Sequence, residues 1–166
     1  MLARSEGPGR GTDLIVRLPL ASAQVRPITS AIAAVAGKLP QLKVLVVDDN
    51  RDAADTLALL LEAMGQQVTA VYDGPTAVSM AWKFKPDVIL TDIGMPRMSG
   101  YAVARAIRSA MPIDSPVLAA VTGWGQETDK ARAEDAGFRY HFVKPVSDDM
   151  LRQLLTEVAS AKDGRA

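Results

Sequence analysis

Residues 43–49 read Lys-Val-Leu-Val-Val-Asp-Asp. The run Lys43–Val47 is β-branched and apolar without polar alternation, the pattern of a strand buried on both faces. Such a strand needs helices on both sides, and the following sequence supplies them. Asn50 stands at a helix cap, and Ala54, Leu57, Leu61 and Met64 recur on one face before Gly65 ends the helix. Gln67–Tyr72 reads as a second strand. Asp73-Gly74-Pro75 opens a helix with Pro in its first turn, and that helix runs to about Phe84, ahead of Pro86.

The alternation continues. Asp87–Thr91 predicts a third strand, followed by a loop over 92–100 that carries Gly94, Pro96 and Gly100. A helix over about 101–111 turns Val103, Ile107 and Met111 inward. Pro116–Val121 is a fourth strand, broken by Gly123 and Gly125. The helix over roughly 127–136 has few large apolar anchors, and Tyr140–Val143 is a fifth strand. Ser147 caps the last helix, whose first turn is acidic at Asp148 and Asp149 and whose core stripe is Leu151, Leu154, Leu155 and Val158. Five strands alternating with five helices make a doubly wound parallel α/β sheet.

Composition narrows what the fold can do. The chain has 166 residues, 19 basic and 19 acidic, with one His and no Cys. Zero net charge argues against bulk binding to nucleic acid or anionic lipid. The lack of Cys removes disulfides, zinc ribbons and thiol catalysis. No apolar run has the length of a membrane span, and Met1–Arg10 contains no signal-peptide core, so a cytoplasmic chain, or the cytoplasmic part of a larger one, is expected. Residues 1–40 carry five basic and two acidic side chains, against 14 and 17 in the remainder. That first block is rich in Gly and Pro, with one strand-like run over 14–18 and an Ala-rich stretch over 28–36, and reads as a strand remnant and a linker.

In a doubly wound sheet the site lies beyond the carboxyl ends of the strands. The first strand ends at Asp48-Asp49, the third at Asp92, the fourth at Thr122 and the fifth at Lys144-Pro145. Three acids, a hydroxyl and an ammonium therefore meet at one edge. Clustered carboxylates raise a pKa or recruit a cation, and an oxygen-only donor set favours Mg²⁺. A carboxylate is a competent nucleophile toward phosphorus, and cations and hydroxyl donors can neutralise the phosphoryl oxygens. Asp92, on the central strand, is the natural nucleophile. Taken singly, Asp48 reads as a helix cap and Thr122 as a turn residue; together with Lys144 they read as a site.

The motifs VLVVDDN, ILTDIGMPRMSG, VTGWG and FVKP, in that order, resemble the receiver domain of bacterial two-component response regulators. Thr122 falls thirty residues and Lys144 fifty-two residues after Asp92, spacings that fit the family. The resemblance covers residues 41–160 and implies a flavodoxin-like receiver fold with strand order 2-1-3-4-5. It implies that Asp92 accepts a phosphoryl group from a phosphohistidine donor, a histidine kinase or a histidine phosphotransfer protein. Asp49, Asp92 and the Gly94 carbonyl would bind Mg²⁺ directly and Asp48 through a water. Lys144 would pair with Asp92 and then with a phosphoryl oxygen, Thr122 would turn its hydroxyl onto the phosphoryl group, and the Lys144–Pro145 bond would be cis.

Three positions depart from the common pattern. His141 replaces the aromatic residue three before the lysine; by itself it reads as a partly buried polar residue rather than a base. Gly94 and Trp124, each two residues beyond a site residue, offer neither acid nor amide to orient a hydrolytic water, so a long-lived aspartyl phosphate is expected. Trp124 reads as an exposed loop aromatic. Residues 1–20 resemble the last Gly-rich turn and strand of a histidine-kinase ATP-binding domain, followed by a linker over 21–40 and, after the receiver, a tail over 161–166. That reading makes the chain the end of a hybrid sensor kinase. No DNA-binding region is expected, and a homodimer is left open. Two alternatives remain at this point: a Mg²⁺-dependent aspartyl-phosphate phosphatase, which needs an acid where Gly94 stands, and a degenerate receiver serving only as an interaction module, which would have lost one of these residues.

Overall fold

Two short strands, β1 (Leu2–Arg4) and β2 (Asp13–Ile15), pair antiparallel with Ala3 opposite Leu14. Between them Gly9 and Gly11 have φ of +79° and +78°, values that glycine adopts without steric cost. The computed structural model describes residues 2–4, 7, 9–15, 40–113, 115–123 and 127–163. The strand expected over 14–18 is thus described only through Ile15, and the Ala-rich stretch over 28–36 lies outside the described residues. Strand β1 was not anticipated, because three residues are too few to show a period. The chain divides into two units, residues 1–36 and 37–166.

The second unit follows the expected alternation. It runs β3 (Lys43–Val47), α1 (Arg51–Ala63), β4 (Gln67–Val71), α2 (Gly74–Phe84), β5 (Val88–Asp92), α3 (Gly100–Ala110), β6 (Val117–Thr122), α4 (Glu127–Ala136), β7 (Tyr140–Val143) and α5 (Asp148–Asp163). All neighbouring strands are parallel, in the order β4-β3-β5-β6-β7, which is 2-1-3-4-5 within this sheet.

Period-2 alternation sorts the core into two layers. Leu45, Val47, Ile89, Leu118 and Ala120 pack with Ala77 and Ala81 of α2, Val103 and Ile107 of α3, and Ala133 and Ala136 of α4. Val44, Val46, Leu90, Ala119 and Val121 pack with Leu61 of α1 and Leu151, Leu154 and Leu155 of α5. Both faces are covered, which explains the uninterrupted apolar runs Val44–Val47 of β3 and Val88–Leu90 of β5.

Helix starts are set by side-chain caps. Asn50 Oδ1 accepts from the Ala53 N–H at 3.2 Å, and Asp73 Oδ1 from the Thr76 N–H at 2.8 Å. Ser99 caps α3 and Ser147 caps α5 in the same manner. Several boundaries differ from expectation by one residue, and two of them bear on the site. Asp92 and Thr122 are the last residues of β5 and β6, because the ladder continues through the pairs Asp92↔Val121 and Thr122↔Val143. Both side chains are therefore carried on strand backbone rather than on loops.

Candidate functional site

Asp48 follows β3, and its N–H bonds the Val71 carbonyl at 3.2 Å, so the sheet still directs it. Asp48 Oδ1 accepts from the Asn50 N–H at 3.0 Å, which joins the acid to the start of α1. Asp92 closes β5, and its Oδ2 accepts from the Gly94 N–H at 3.1 Å. The Lys144 N–H bonds the Thr122 carbonyl at 2.8 Å, so the hydroxyl residue and the lysine are tied together by backbone. The Lys144–Pro145 peptide is cis.

These connections bring the candidate residues together. Lys144 Nζ lies 2.6 Å from Asp48 Oδ2 and 3.2 Å from Asp92 Oδ1. Asp48, Asp49 and Asp92 each offer a carboxylate oxygen within 4.8 Å of the others. Asp48, Asp92 and Thr122 are buried, at 6%, 9% and 7% exposure, while Asp49 is exposed and opens the cluster to solvent. The sequence paired Lys144 with Asp92; the structure adds Asp48 as its nearer partner.

Electrostatics follow from this placement. Burial pushes the Asp92 carboxyl above its ordinary pKa; Lys144 opposes that shift, and the charges of Asp48 and Asp49 add to it. For Lys144, burial works against the ammonium, but the hydrogen bond to Asp48 and the charge of Asp92 outweigh it and hold the pKa above its ordinary value. Three acids against one ammonium leave an excess of negative charge. The donors are all oxygen, with no His or Cys among them, and so suit a hard divalent cation such as Mg²⁺.

The loop from Ile93 to Ser99 is held against the strand. The Gly100 N–H bonds the Ile93 carbonyl at 3.2 Å, and a Cβ at Gly100 would collide with the backbone of Asp92 and Ile93. Gly100 therefore lets α3 start directly against the strand end that carries Asp92, a role its place in a turn did not reveal. His141 is half-buried, as expected, and its Nε2 is buried without a hydrogen-bond partner. Trp124 lies outside the described residues.

An open parallel sheet of order 2-1-3-4-5 with three carboxylates and a lysine at its carboxyl edge defines a CheY-like receiver. The chain belongs to the response regulator receiver domain family, whose model matches residues 44–156. It is 35% identical over 170 residues to the virulence sensor protein BvgS of Bordetella bronchiseptica, covering 96% of this chain and 14% of that protein. It is 29% identical to the autoinducer 2 sensor kinase/phosphatase LuxQ of Vibrio parahaemolyticus, covering 90% of this chain and 18% of that one. The chain thus spans less than a fifth of the length of these relatives. Among solved structures, the chemotaxis protein CheY4 of Vibrio cholerae superimposes with a TM-score of 0.66 at 28% identity, covering 71% of this chain and 98% of that one. Residues 44–156 are a receiver domain of two-component signal transduction.

Proposed function

We propose that Asp92 takes a phosphoryl group from a phosphohistidine and holds it as an aspartyl phosphate, the receiving step of a phosphorelay. The observation that carries this reading is the convergence of Asp48, Asp49, Asp92 and Lys144, with the two Asp92 oxygens held separately by Lys144 and the Gly94 N–H. A carboxylate oxygen of Asp92 attacks phosphorus. The P–O bond forms as the P–N bond breaks, and the imidazole nitrogen keeps the electron pair of the broken bond. Lys144 follows the negative charge from the carboxylate onto a phosphoryl oxygen, and the Thr122 hydroxyl donates to another. Asp49, Asp92 and the Gly94 carbonyl are the proposed direct ligands of Mg²⁺, with Asp48 acting through a water; the ion, when bound, neutralises phosphoryl charge.

The proposed partner is a histidine kinase or histidine phosphotransfer protein, with no nucleic acid involved and a homodimer left open. The proposed parent is a hybrid sensor histidine kinase, with residues 1–20 as the end of its ATP-binding domain, 21–40 as linker and 161–166 as tail. The match to BvgS supports this, since it covers 96% of the chain and so extends well beyond residues 44–156. The antiparallel pair β1–β2 with its Gly-rich connection supports it too. None of the described helices is long and apolar enough to cross a membrane, in keeping with the proposed cytoplasmic placement. Gly94, standing where a phosphatase needs its second acid, disfavours that alternative.

The test is incubation with acetyl phosphate and Mg²⁺, followed by intact-protein mass spectrometry. The expected result is a gain of one HPO₃, which does not occur when the metal is chelated beforehand and is absent in Asp92→Asn. A mutant modified as fast as the parent chain sinks the assignment.

A further inference from the structure

An apolar groove unrelated to the Asp92 site runs between the last turns of α2 and α3. Its cavity of about 430 Å³ is lined chiefly by Val78, Ala81, Trp82, Ile107, Ala110 and Met111. A second cavity of about 380 Å³ shares Trp82, Ala110 and Met111 and continues to Ile113. Trp82 is 62% exposed and Ile113 is 92% exposed. Isolated apolar side chains on a surface are ordinary, but a concave, continuous strip around an exposed indole is the form of an interaction site. In a parallel α/β domain the last turns of the helices lie at the edge opposite the strand carboxyl ends, so the groove and the phosphoacceptor are at opposite ends of the sheet.

Charge selects the occupant. Among the described residues, the only charged side chains lining the two cavities are Lys83 and Lys85. Neither α2 nor α3 contains Asp or Glu, while together they carry Lys83, Arg105 and Arg108. A second copy seated face to face would set these lysines against their own images. The segment over 16–39 carries Arg17, Arg26 and Lys38 and no acid, so its charge has the wrong sign. An anionic bilayer is flat where this surface is concave, and two lysines fall short of the roughly 4–8 cations that mark lipid-binding clusters. We infer that the groove receives an acidic amphipathic helix of a partner protein, with its apolar side chains over Trp82 and Met111 and its carboxylates toward Lys83 and Lys85.

The test titrates the full chain, by calorimetry, with a synthetic helical peptide of about five turns. The peptide has Leu and Phe at i, i+3, i+4 and i+7 and Glu elsewhere; a twin has Lys in place of every Glu. The expected outcome is saturable binding of the Glu peptide at least tenfold tighter than its twin. Trp82→Ala should weaken that binding tenfold or more, and Lys83→Glu with Lys85→Glu should invert the preference. Labelling of Asp92 by acetyl phosphate should be unchanged in these variants, which separates loss of the groove from loss of the fold. Equal affinity for the two peptides, indifference to Trp82→Ala, a dimer in sedimentation that Trp82→Ala dissolves, or tighter binding to phosphatidylserine vesicles than to the Glu peptide would each overturn the inference.

Discussion

Lys144 and Asp48 are ninety-six residues apart in the chain, yet their side chains meet at 2.6 Å. Asp92 is farther from the same ammonium, at 3.2 Å. Asp48 thus does two things: it contributes charge to the acidic cluster and fixes the lysine that must serve Asp92. Because its other oxygen accepts the Asn50 N–H, the lysine's position is referred back to the start of α1.

Replacing Lys144 by Met should separate these roles. Without metal the acids lose their only close counter-charge among the described residues, and stability should fall by about 1–2 kcal/mol, at the low end for a charged hydrogen bond because the lysine is a third exposed. Mg²⁺ should restore most of that loss, since a ligand of the folded state alone stabilises it. Phosphorylation by acetyl phosphate should remain slow even at saturating Mg²⁺. Urea denaturation with and without the metal checks the first part. A variant as stable and as fast as the parent would show that the ion pair serves neither end.

Asp92→Asn should stabilise the metal-free domain. Burial raises the Asp92 pKa, so the folded state holds this proton more tightly than the unfolded chain does. The ionised carboxylate therefore costs stability above the folded pKa, and the cost disappears as pH falls below the unfolded value. Asn carries no charge to bury. Its advantage should be full at neutral pH, shrink on acidification and shrink again when Mg²⁺ is added to both proteins. Thermal melts across pH give the answer; a mutant less stable than the parent at neutral pH, closing the gap on acidification, would reverse the sign of the argument.

Gly100→Ala tests how the site is built. The added Cβ meets the carbonyl oxygen of Asp92 and the Cα of Ile93, both backbone, so no side chain can rotate away. Overpacking of this kind costs about 1–3 kcal/mol. The same displacement moves Asp92, so phosphorylation should slow even under conditions where the variant is fully folded. Normal labelling kinetics in a folded Gly100→Ala protein would mean that the helix start yields instead of the strand.

The strand pattern, the helix starts at Asn50, Asp73 and Ser147, and the five polar residues at the sheet edge were legible because each rests on local periodicity or on position beside a strand or helix; the cap at Ser99 was not read. What escaped is long-range or too short to have a period. Gln66 is buried, and its Oε1 accepts the Leu42 N–H while its Nε2 donates to the Met64 carbonyl; nothing in the local sequence separates it from the exposed Gln67. Lys144 was readable as a site residue, but its preference for Asp48 depends on how β3, β5, β6 and β7 are ordered in the sheet. The groove beside Trp82 was invisible for a related reason, since it exists only where the ends of α2 and α3 meet.

The lifetime of the phosphoryl group on Asp92 turns on Gly94. Gly94 has no side chain to hold a water against the acyl phosphate, so a lifetime of minutes or longer is expected for the isolated chain. A Cβ built at Gly94 would lie 3.4 Å from Asp92 Oδ2, ordinary contact, and the residue is not among those with positive φ. Gly94→Asn should therefore fold normally and place an amide beside the phosphoryl group, where it can orient an attacking water. The lifetime, followed as loss of the HPO₃ mass after removal of acetyl phosphate, should shorten several-fold while the labelling rate changes little. A parent lifetime of seconds would count against the reading of Gly94, and so would a Gly94→Asn protein that keeps its phosphoryl group as long as the parent does.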